Sequence, residues 1–215
     1  SPGLIKDLGR RFRDYSFNVR ELVRMILNSE AFYSEEAIGA RIKSPVQYAV
    51  GTVRKLNTVV PDQSVLLNSL RRMGQELFKP PDVNGWPEGA AWINTNTLIM
   101  RYQFANFLTT GEAPRGNSYM MMGAAKKEKS HKSIVDLKKY QKGLLAKNPS
   151  ECIKILSYDL LSRPLTPKQH TKLTNYLRLG ANGARVNFDM NKATSQERFY
   201  SAMNIILSST EYQLC

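Results

Sequence analysis

The sequence has few of the residues from which covalent or metal-bound frameworks are built. Its two cysteines, Cys152 and Cys215, lie far apart and provide neither a disulfide framework nor a zinc motif, although a single bridge between them stays open. Its two histidines, His131 and His170, have no further donors at the spacing that metal ligation needs, so we predict no metal site. No apolar run reaches the length of about 18 residues that a membrane-spanning helix requires.

Motifs of catalysis are also missing. The chain contains no Gly-x-Ser-x-Gly elbow, no P-loop, no dinucleotide fingerprint and no His-Glu-x-x-His, so we predict neither a cofactor nor a catalytic residue. Asp82 and Glu88 lie on either side of Trp86 and are the nearest approach to an acid–base pair. Their spacing does not set a separation, and an aspartate after a proline is typical of a turn. We therefore interpret Asp82 as a turn residue and Glu88 as solvated.

Acidic residues are scarce, with 18 against 31 lysines and arginines, and the formal net charge is +13. Such a charge raises the hypothesis of nucleic-acid binding, which depends on where the charge lies. Residues 112–147 carry 9 basic and 3 acidic side chains, whereas residues 59–111, which include both tryptophans, carry 4 of each. A groove for single-stranded nucleic acid combines basic and stacking side chains in one place. Because the sequence separates them, nucleic-acid binding is disfavoured.

Helical periodicity is present along most of the chain. Apolar residues recur at three- and four-residue spacing behind capping residues, and no alternating strand pattern is sustained. This predicts an all-α fold, a multi-helix bundle-like domain with an irregular loop between two helices. The predicted helices begin near Asn18, Ser44, Pro61, Thr95 or Asn96, Ser133, Asn148, Thr166 and Thr194. The third is expected to run to Phe78, and the fourth to end at Gly111.

The middle of the chain breaks the periodicity. Residues 112–132 have no sustained apolar period and end in a basic cluster, which is typical of a linker. The predicted organisation is a helical domain at residues 1–111, a basic linker at 112–132, and a C-terminal helical subdomain at 133–215 that packs on the first domain.

The stretch KPPDVNGWPEGAAWINTNT, residues 79–97, combines three prolines and two glycines and cannot be helical throughout. It contains Trp86 and Trp92, the only tryptophans of the chain, which are large enough to anchor irregular backbone on neighbouring helices. We predict a structural connector between two helices. The alternative is a shallow pocket in which a tryptophan face meets an apolar or sugar-like ligand. The polar contacts of such a pocket are predicted to come from Asn84, Asn94 and Arg101.

The segment around this loop resembles a known family. MGQELFKPPDVNGWPEGAAWINTNTLIMRYQFANFL, residues 73–108, is similar to the C-terminal signature of the domain-of-unknown-function 1800 family of exported bacterial proteins. The resemblance extends over residues 4–110 and 150–214, whereas the basic linker has no recognised counterpart. The signature falls on Gly74, Gln75, Leu77, Phe78, Pro80, Pro81, Gly85, Trp86, Gly89, Trp92, Ile93 and Arg101.

The resemblance implies a C-terminal part of a longer, exported, mostly helical bacterial protein, located in the periplasm, the cell envelope or outside the cell. It carries over no catalytic residue, and association of the family with exported sulfatase-like proteins implies work on an envelope or extracellular polymer. We expect a binding or scaffolding domain that engages another exported protein, a polysaccharide or an anionic polymer. The alternative is an accessory part of a hydrolase-like enzyme whose active site lies mainly N-terminal to this chain.

Overall fold

The computed structural model of the chain describes residues 2–58, 60, 63–111, 134–137, 148–180 and 183–215. Over these residues the chain forms helices and loops without a strand, which confirms the predicted all-α class. It divides into two compact units, Ser1–Ala40 and Arg41–Cys215. The α-helices are α1 (Pro2–Asp14), α2 (Val19–Leu27), α3 (Pro45–Lys55), α4 (Gln63–Arg72), α5 (Thr95–Thr110), α6 (Pro149–Leu160), α7 (Pro167–Leu177) and α8 (Ala193–Leu207).

The first unit contains the helices α1 and α2, neither of which has a buried residue. Asn18 caps α2 as predicted, because its Oδ1 accepts hydrogen bonds from the backbone N–H groups of Arg20 at 3.0 Å and Glu21 at 3.4 Å. The apolar face predicted for α2 is present, but Val19 and Val23 on this face are exposed. The sequence prediction missed α1, although a proline at its first position is a common helix start.

The second unit has one hydrophobic core to which most of its helices contribute. α5 packs against α8, α6 packs against α7, and α3 contacts both α5 and α6. The largest buried side chains include Tyr48 of α3, Phe199 of α8 and Tyr212 of the 3-10 turn Glu211–Gln213. Helices from both sides of the predicted linker therefore share this core.

Three helix starts follow the predicted capping chemistry. Ser44, Asn148 and Thr166 each precede a proline in the first turn of a helix. Proline has no N–H, and no hydrogen bond is lost there, because the N–H groups of the first turn have no partner within the helix. The side-chain oxygens of Ser44, Asn148 and Thr166 accept from the backbone N–H three residues on, at 3.3, 3.0 and 3.3 Å respectively. Each cap involves residues that are close in sequence, so it forms independently of the surrounding fold.

The predicted end of α4 is wrong. The helix ends at Arg72 instead of continuing to Phe78. Gly74 adopts a φ of +97°, and the N–H of Gln75 donates to the carbonyl oxygen of Leu70 at 2.9 Å, as in a glycine-terminated helix end. Leu77 therefore lies beyond the helix, so it is free to line the surface described below.

The predicted N-cap of α5 is also wrong, by one or two residues. Asn94 is the cap, because its Oδ1 accepts from the N–H of Thr97 at 2.9 Å. Thr97 Oγ1 accepts in return from the N–H of Asn94 at 2.9 Å, which completes a capping box. Gly111 ends α5 as predicted, with a φ of +71°.

The last helix begins one residue before its predicted start, at Ala193, so Thr194 lies in the first turn and does not act as the cap. His170 is half-buried, with Nε2 at 3.1 Å from the carbonyl oxygen of Ser150. The linker 112–132 with His131, and most of the helix predicted from Ser133, lie outside the described residues.

Replacing Gly74 with alanine is expected to lower the free energy of unfolding by about 1–2 kcal/mol, because position 74 holds a left-handed φ that a Cβ disfavours. The matched control is Gly51→Ala inside α3, where an added Cβ meets nothing within 4 Å. That change is expected to stabilise the protein by about 0.5–1 kcal/mol. Urea unfolding of both variants measures the difference, and equal stability of Gly74→Ala and wild type would contradict the assignment.

Candidate functional site

The Gly-Trp loop (residues 79–94) is a braced connector between α4 and α5. The N–H of Gly85 donates to the carbonyl oxygen of Asp82 at 3.2 Å, and the N–H of Asn84 donates to Asp82 Oδ1 at 2.7 Å. Gly85 has a φ of +92°, which explains why a glycine occupies this turn. The loop closes with the 3-10 turn Gly89–Trp92, which buries the Trp92 side chain. The predicted connector is thus built from a local turn and one aromatic anchor.

An open cleft of about 580 Å³ lies between this loop and the start of α3. The loop contributes Trp86, Glu88 and Trp92 to its lining. Trp86 is half-buried, so part of its indole is accessible, whereas Trp92 is only 6% exposed and mainly holds the loop in place. The volume falls within the range of about 300–1,000 Å³ that is usual for ligand sites.

The remaining lining comes from the residues that lead into α3 and from those that follow α4. Its apolar part includes Ile42, Val46 and Leu77, and its polar part includes the carboxamides of Gln47 and Gln75. Leu77 reaches the cleft because α4 ends before it. The surface therefore combines apolar contacts with a few hydrogen-bonding groups, the usual character of a binding site.

The structure brings together two of the five residues predicted for a ligand pocket. Trp86 and Trp92 line the cleft, but Asn84, Asn94 and Arg101 are not among its lining residues. Asn84 is exposed in the turn, Asn94 is engaged in capping α5, and Arg101 is fully buried. The carboxamides of the cleft instead come from Gln47 and Gln75, which lie outside the loop, so the sequence of the loop did not indicate them.

The two acidic residues considered as a catalytic pair occupy different surroundings. Glu88 lines the cleft and is exposed. Asp82 accepts the N–H of Asn84 within the turn and is not among the residues of the cleft. The described cleft thus presents Glu88 as its one carboxylate, and Arg41 on its lining supplies a charge of opposite sign.

Arg101 lies in the core and supports the segment at residues 42–44, which contributes to the lining of the cleft. Its side chain has no exposed surface, and its Nη2 donates to the carbonyl oxygen of Lys43 at 2.9 Å. Its Nη1 donates to Gln213 Oε1 at 3.2 Å, and its guanidinium carbon lies 5.1 Å from the ring centre of Tyr48. Its Nε has no hydrogen-bond partner among the described residues. Arg101 therefore positions the residues at 42–44 without touching the cleft.

Lys43 is a second buried cation beside Arg101. Its Nζ donates to the carbonyl oxygen of Tyr212 at 2.5 Å and lies 3.7 Å from the centre of the Tyr212 ring. Burial lowers the pKa of the Lys43 ammonium to about 8; the cations Lys55 and Arg101 add to the shift, and Cys215 opposes it. In the described part of the chain neither Lys43 nor Arg101 forms a salt bridge.

Residues 213–215 also support the segment at residues 41–43 through backbone hydrogen bonds. The N–H of Lys43 donates to the carbonyl oxygen of Gln213 at 2.8 Å, and the N–H of Cys215 donates to that of Arg41 at 2.8 Å. Cys215 and the buried Cys152 form no disulfide with each other. Sequence reasoning missed Lys43, and the available signal was its position directly before the Ser44 cap of α3.

The sequence predicted neither a metal site nor a membrane-spanning helix. Over the described ranges, no group of three or more histidine, cysteine, aspartate or glutamate side chains is arranged to hold a metal ion. The described helices also include none with the length and apolar character needed to cross a membrane.

Comparison with known proteins identifies one family. A family model described as a protein of unknown function, DUF1800, matches residues 1–214, essentially the whole chain. The match runs through residues 112–132, for which the sequence resemblance had supplied no counterpart. Searches of curated proteins and of solved structures both gave no match.

Proposed function

Because the chain belongs to the DUF1800 family, whose description names no activity, we propose its function from the cleft itself. We propose a binding domain that holds a segment of a partner protein between the Gly-Trp loop and the start of α3. The observation that carries the proposal is the half-buried Trp86 on an open cleft of about 580 Å³. The family resemblance leads us to propose further that the protein is an exported bacterial protein, so that its partner is another exported protein.

The charge of the site favours a protein segment over an anionic polymer. The lining includes one arginine, Arg41, and one glutamate, Glu88. Residues 59–111, which supply the part of the lining from Gln75 to Trp92, carry equal numbers of basic and acidic side chains, 4 of each, although the whole chain has a net charge of +13. A site for a polyanion requires several cations that replace counterions. The largest excess of positive charge lies at residues 112–147, with 9 basic and 3 acidic side chains.

Exposed apolar side chains occur close in sequence to the residues that line the cleft. Phe78, which follows the lining residue Leu77, is 97% exposed, and Val83, three residues before Trp86, is fully exposed. Phe78 also has a φ of +61°, a conformation that costs a bulky residue free energy and persists where the surroundings enforce it. Aromatic anchors near a desolvated pocket are the usual energetic centres of protein interfaces.

A hydrolytic role receives less support from the same geometry. General acid–base hydrolysis with two carboxylates requires both beside one substrate, whereas the described cleft places Glu88 alone on its lining. The binding hypothesis requires no second carboxylate.

Selection of random dodecapeptides on phage against the wild-type protein is expected to yield ligands that lose at least about tenfold in affinity with Trp86→Ala, a cost of about 1.4 kcal/mol. The loss follows from removing the main accessible aromatic contact. Intrinsic fluorescence measures binding to the wild type, because Trp86 and Trp92 are the only indoles and Trp92 is buried. Titration calorimetry measures binding to Trp86→Ala, which lacks the accessible indole. Thermal unfolding monitors the fold of each variant.

Tyr158→Ala is the matched control, since this aromatic on α6 is 86% exposed and lies outside the cleft. Unchanged peptide binding by Trp86→Ala would contradict the proposal. Binding of oligosaccharides or polyanions on an array, with no peptide ligand recovered, would also overturn it in favour of a polymer ligand.

A further inference from the structure

We propose that Gln47 and Gln75 recognise the main-chain carbonyl groups of an extended peptide in the cleft. This inference rests on the proposed function and identifies the chemistry by which the same cleft selects its ligand. It assigns the polar recognition to two neutral carboxamides, while Trp86 supplies the apolar contact. Both glutamines line the cleft, one from α3 and one from the segment after α4.

The orientation of both carboxamides is determined by their backbone partners. Gln47 Oε1 accepts the N–H of Ser44 at 3.0 Å, and Gln75 Oε1 accepts the N–H of Val46 at 3.1 Å. A backbone N–H only donates, so an oxygen and not an amino group must face it in each case. The Nε2 groups are therefore turned away from the start of α3, and neither donates to another described residue.

The start of α3 is closed to an anionic ligand by the same bonds. Ser44 and Val46 donate to the two carboxamides, Pro45 has no N–H, and the N–H of Gln47 donates to Ser44 Oγ at 3.3 Å. A helix start attracts an anion through unpaired N–H groups, and here they are paired within the protein. Apart from the Arg41 guanidinium on the lining, the donors beside the start of α3 are consequently the neutral amides of the two glutamines, which suit neutral acceptors.

An extended peptide matches that set of donors. Its carbonyl groups are strong acceptors that must be satisfied when they leave water. Its side chains alternate in direction, so one side chain can contact Trp86 while the backbone faces the glutamines. The glutamines would then contribute affinity that does not depend on the peptide sequence, and Trp86 would select the apolar residue.

The variants Gln47→Glu and Gln75→Glu test this assignment. Each carboxylate keeps an oxygen for the backbone N–H and is favourable at a helix start, but it removes the amide donors. Titration calorimetry with the peptide selected on the wild-type protein is expected to show at least about tenfold weaker binding for each variant, with an unchanged or higher melting temperature. Gln63→Glu, an exposed residue of α4 outside the cleft, controls for the added charge.

A second arm changes the ligand and leaves the protein intact. Esters replace single amides of the peptide, which weakens the carbonyl acceptor at each position in turn. At the position that contacts Gln75, the ester is expected to weaken binding several-fold to wild type and to have a clearly smaller effect on Gln75→Glu. If a glutamate variant fails to fold, the ester series on wild type decides alone, and unchanged affinity at every ester position overturns the role of the glutamines.

The outcomes separate this inference from the one it rests on. Loss of binding with Trp86→Ala, together with wild-type affinity of both glutamate variants or equal ester effects on wild type and Gln75→Glu, overturns the role of the glutamines and leaves the proposed function standing. Wild-type affinity of Trp86→Ala overturns the proposed function itself.

Discussion

Replacing Arg101 with alanine is expected to lower the free energy of unfolding by about 4 kcal/mol, the range seen when a large buried side chain is removed. Arg101 is among the largest side chains of the protein that have no exposed surface. The substitution leaves a cavity, and it takes away the donors that satisfy the carbonyl oxygen of Lys43 and Oε1 of Gln213. Each buried acceptor left without a donor costs about 1–3 kcal/mol.

Urea unfolding of wild type and variants measures this effect. Arg54→Ala is the matched control, because Arg54 is exposed on α3 and surface substitutions change stability by about 0.5 kcal/mol or less. Arg101→Lys keeps the charge but lacks the planar fork that reaches two acceptors at once, so it is expected to restore only part of the loss. A destabilisation of Arg101→Ala no larger than that of Arg54→Ala would show that these contacts do not support the fold.

Raising the pH from 7 to 9.5 is expected to stabilise the protein by about 2 kcal/mol through Lys43. The folded protein releases this proton near pH 8, whereas an unfolded chain keeps it until the ordinary lysine pKa of 10.5. Between these values the unfolded state binds more protons, so stability rises with pH. The lowered pKa of Lys55, caused mainly by burial, acts in the same direction.

Two tyrosines set the upper limit of that pH window. Burial raises the pKa of Tyr212 to about 12 and raises that of Tyr48 as well. Above the ordinary tyrosine pKa of 10.0 the folded state therefore holds protons that the unfolded chain has lost, and stability falls again. Stability is expected to be greatest between the two effects, close to pH 10.

Chemical denaturation of wild type and Lys43→Met between pH 7 and 9.5, in a reducing buffer, measures this linkage. The variant is expected to lose most of the rise, since it has no proton to release at this position. Lys168→Met on the exposed surface of α7 serves as the control and is expected to retain the wild-type slope. Parallel curves for wild type and Lys43→Met would assign the pH dependence to other groups.

The helix starts show which parts of the fold could be predicted from local sequence. Ser44, Asn148 and Thr166 each combine a capping side chain with a following proline, and the structure places helix starts at all three. The end of α4 was predicted six residues too late, at Phe78 instead of Arg72, because the prolines after Phe78 were weighted above Gly74. That error concealed Leu77 as a residue of the cleft.

The candidate site was predictable only in part. Trp86 and Trp92 were identified because two tryptophans in a proline-rich loop are conspicuous in any sequence. Gln47 and Gln75 were not identified as site residues: Gln47 lies in a helix and carries no motif, and Gln75 belongs to the family signature, which assigns it no role. Arg101 was predicted to contact the ligand, but it lies buried outside the cleft, where it donates hydrogen bonds to Lys43 and Gln213.

The all-α class, the capped helix starts and the irregular tryptophan loop could be predicted from sequence, because each depends on interactions between residues a few positions apart. That residues 41–47, 75–77 and 86–92 form one cleft became evident from the packing of the folded chain. The same packing lets residues 213–215 support the segment at residues 41–43. Those contacts join segments up to more than a hundred residues apart, and burial in a shared core, which no local pattern encodes, determines which of them meet.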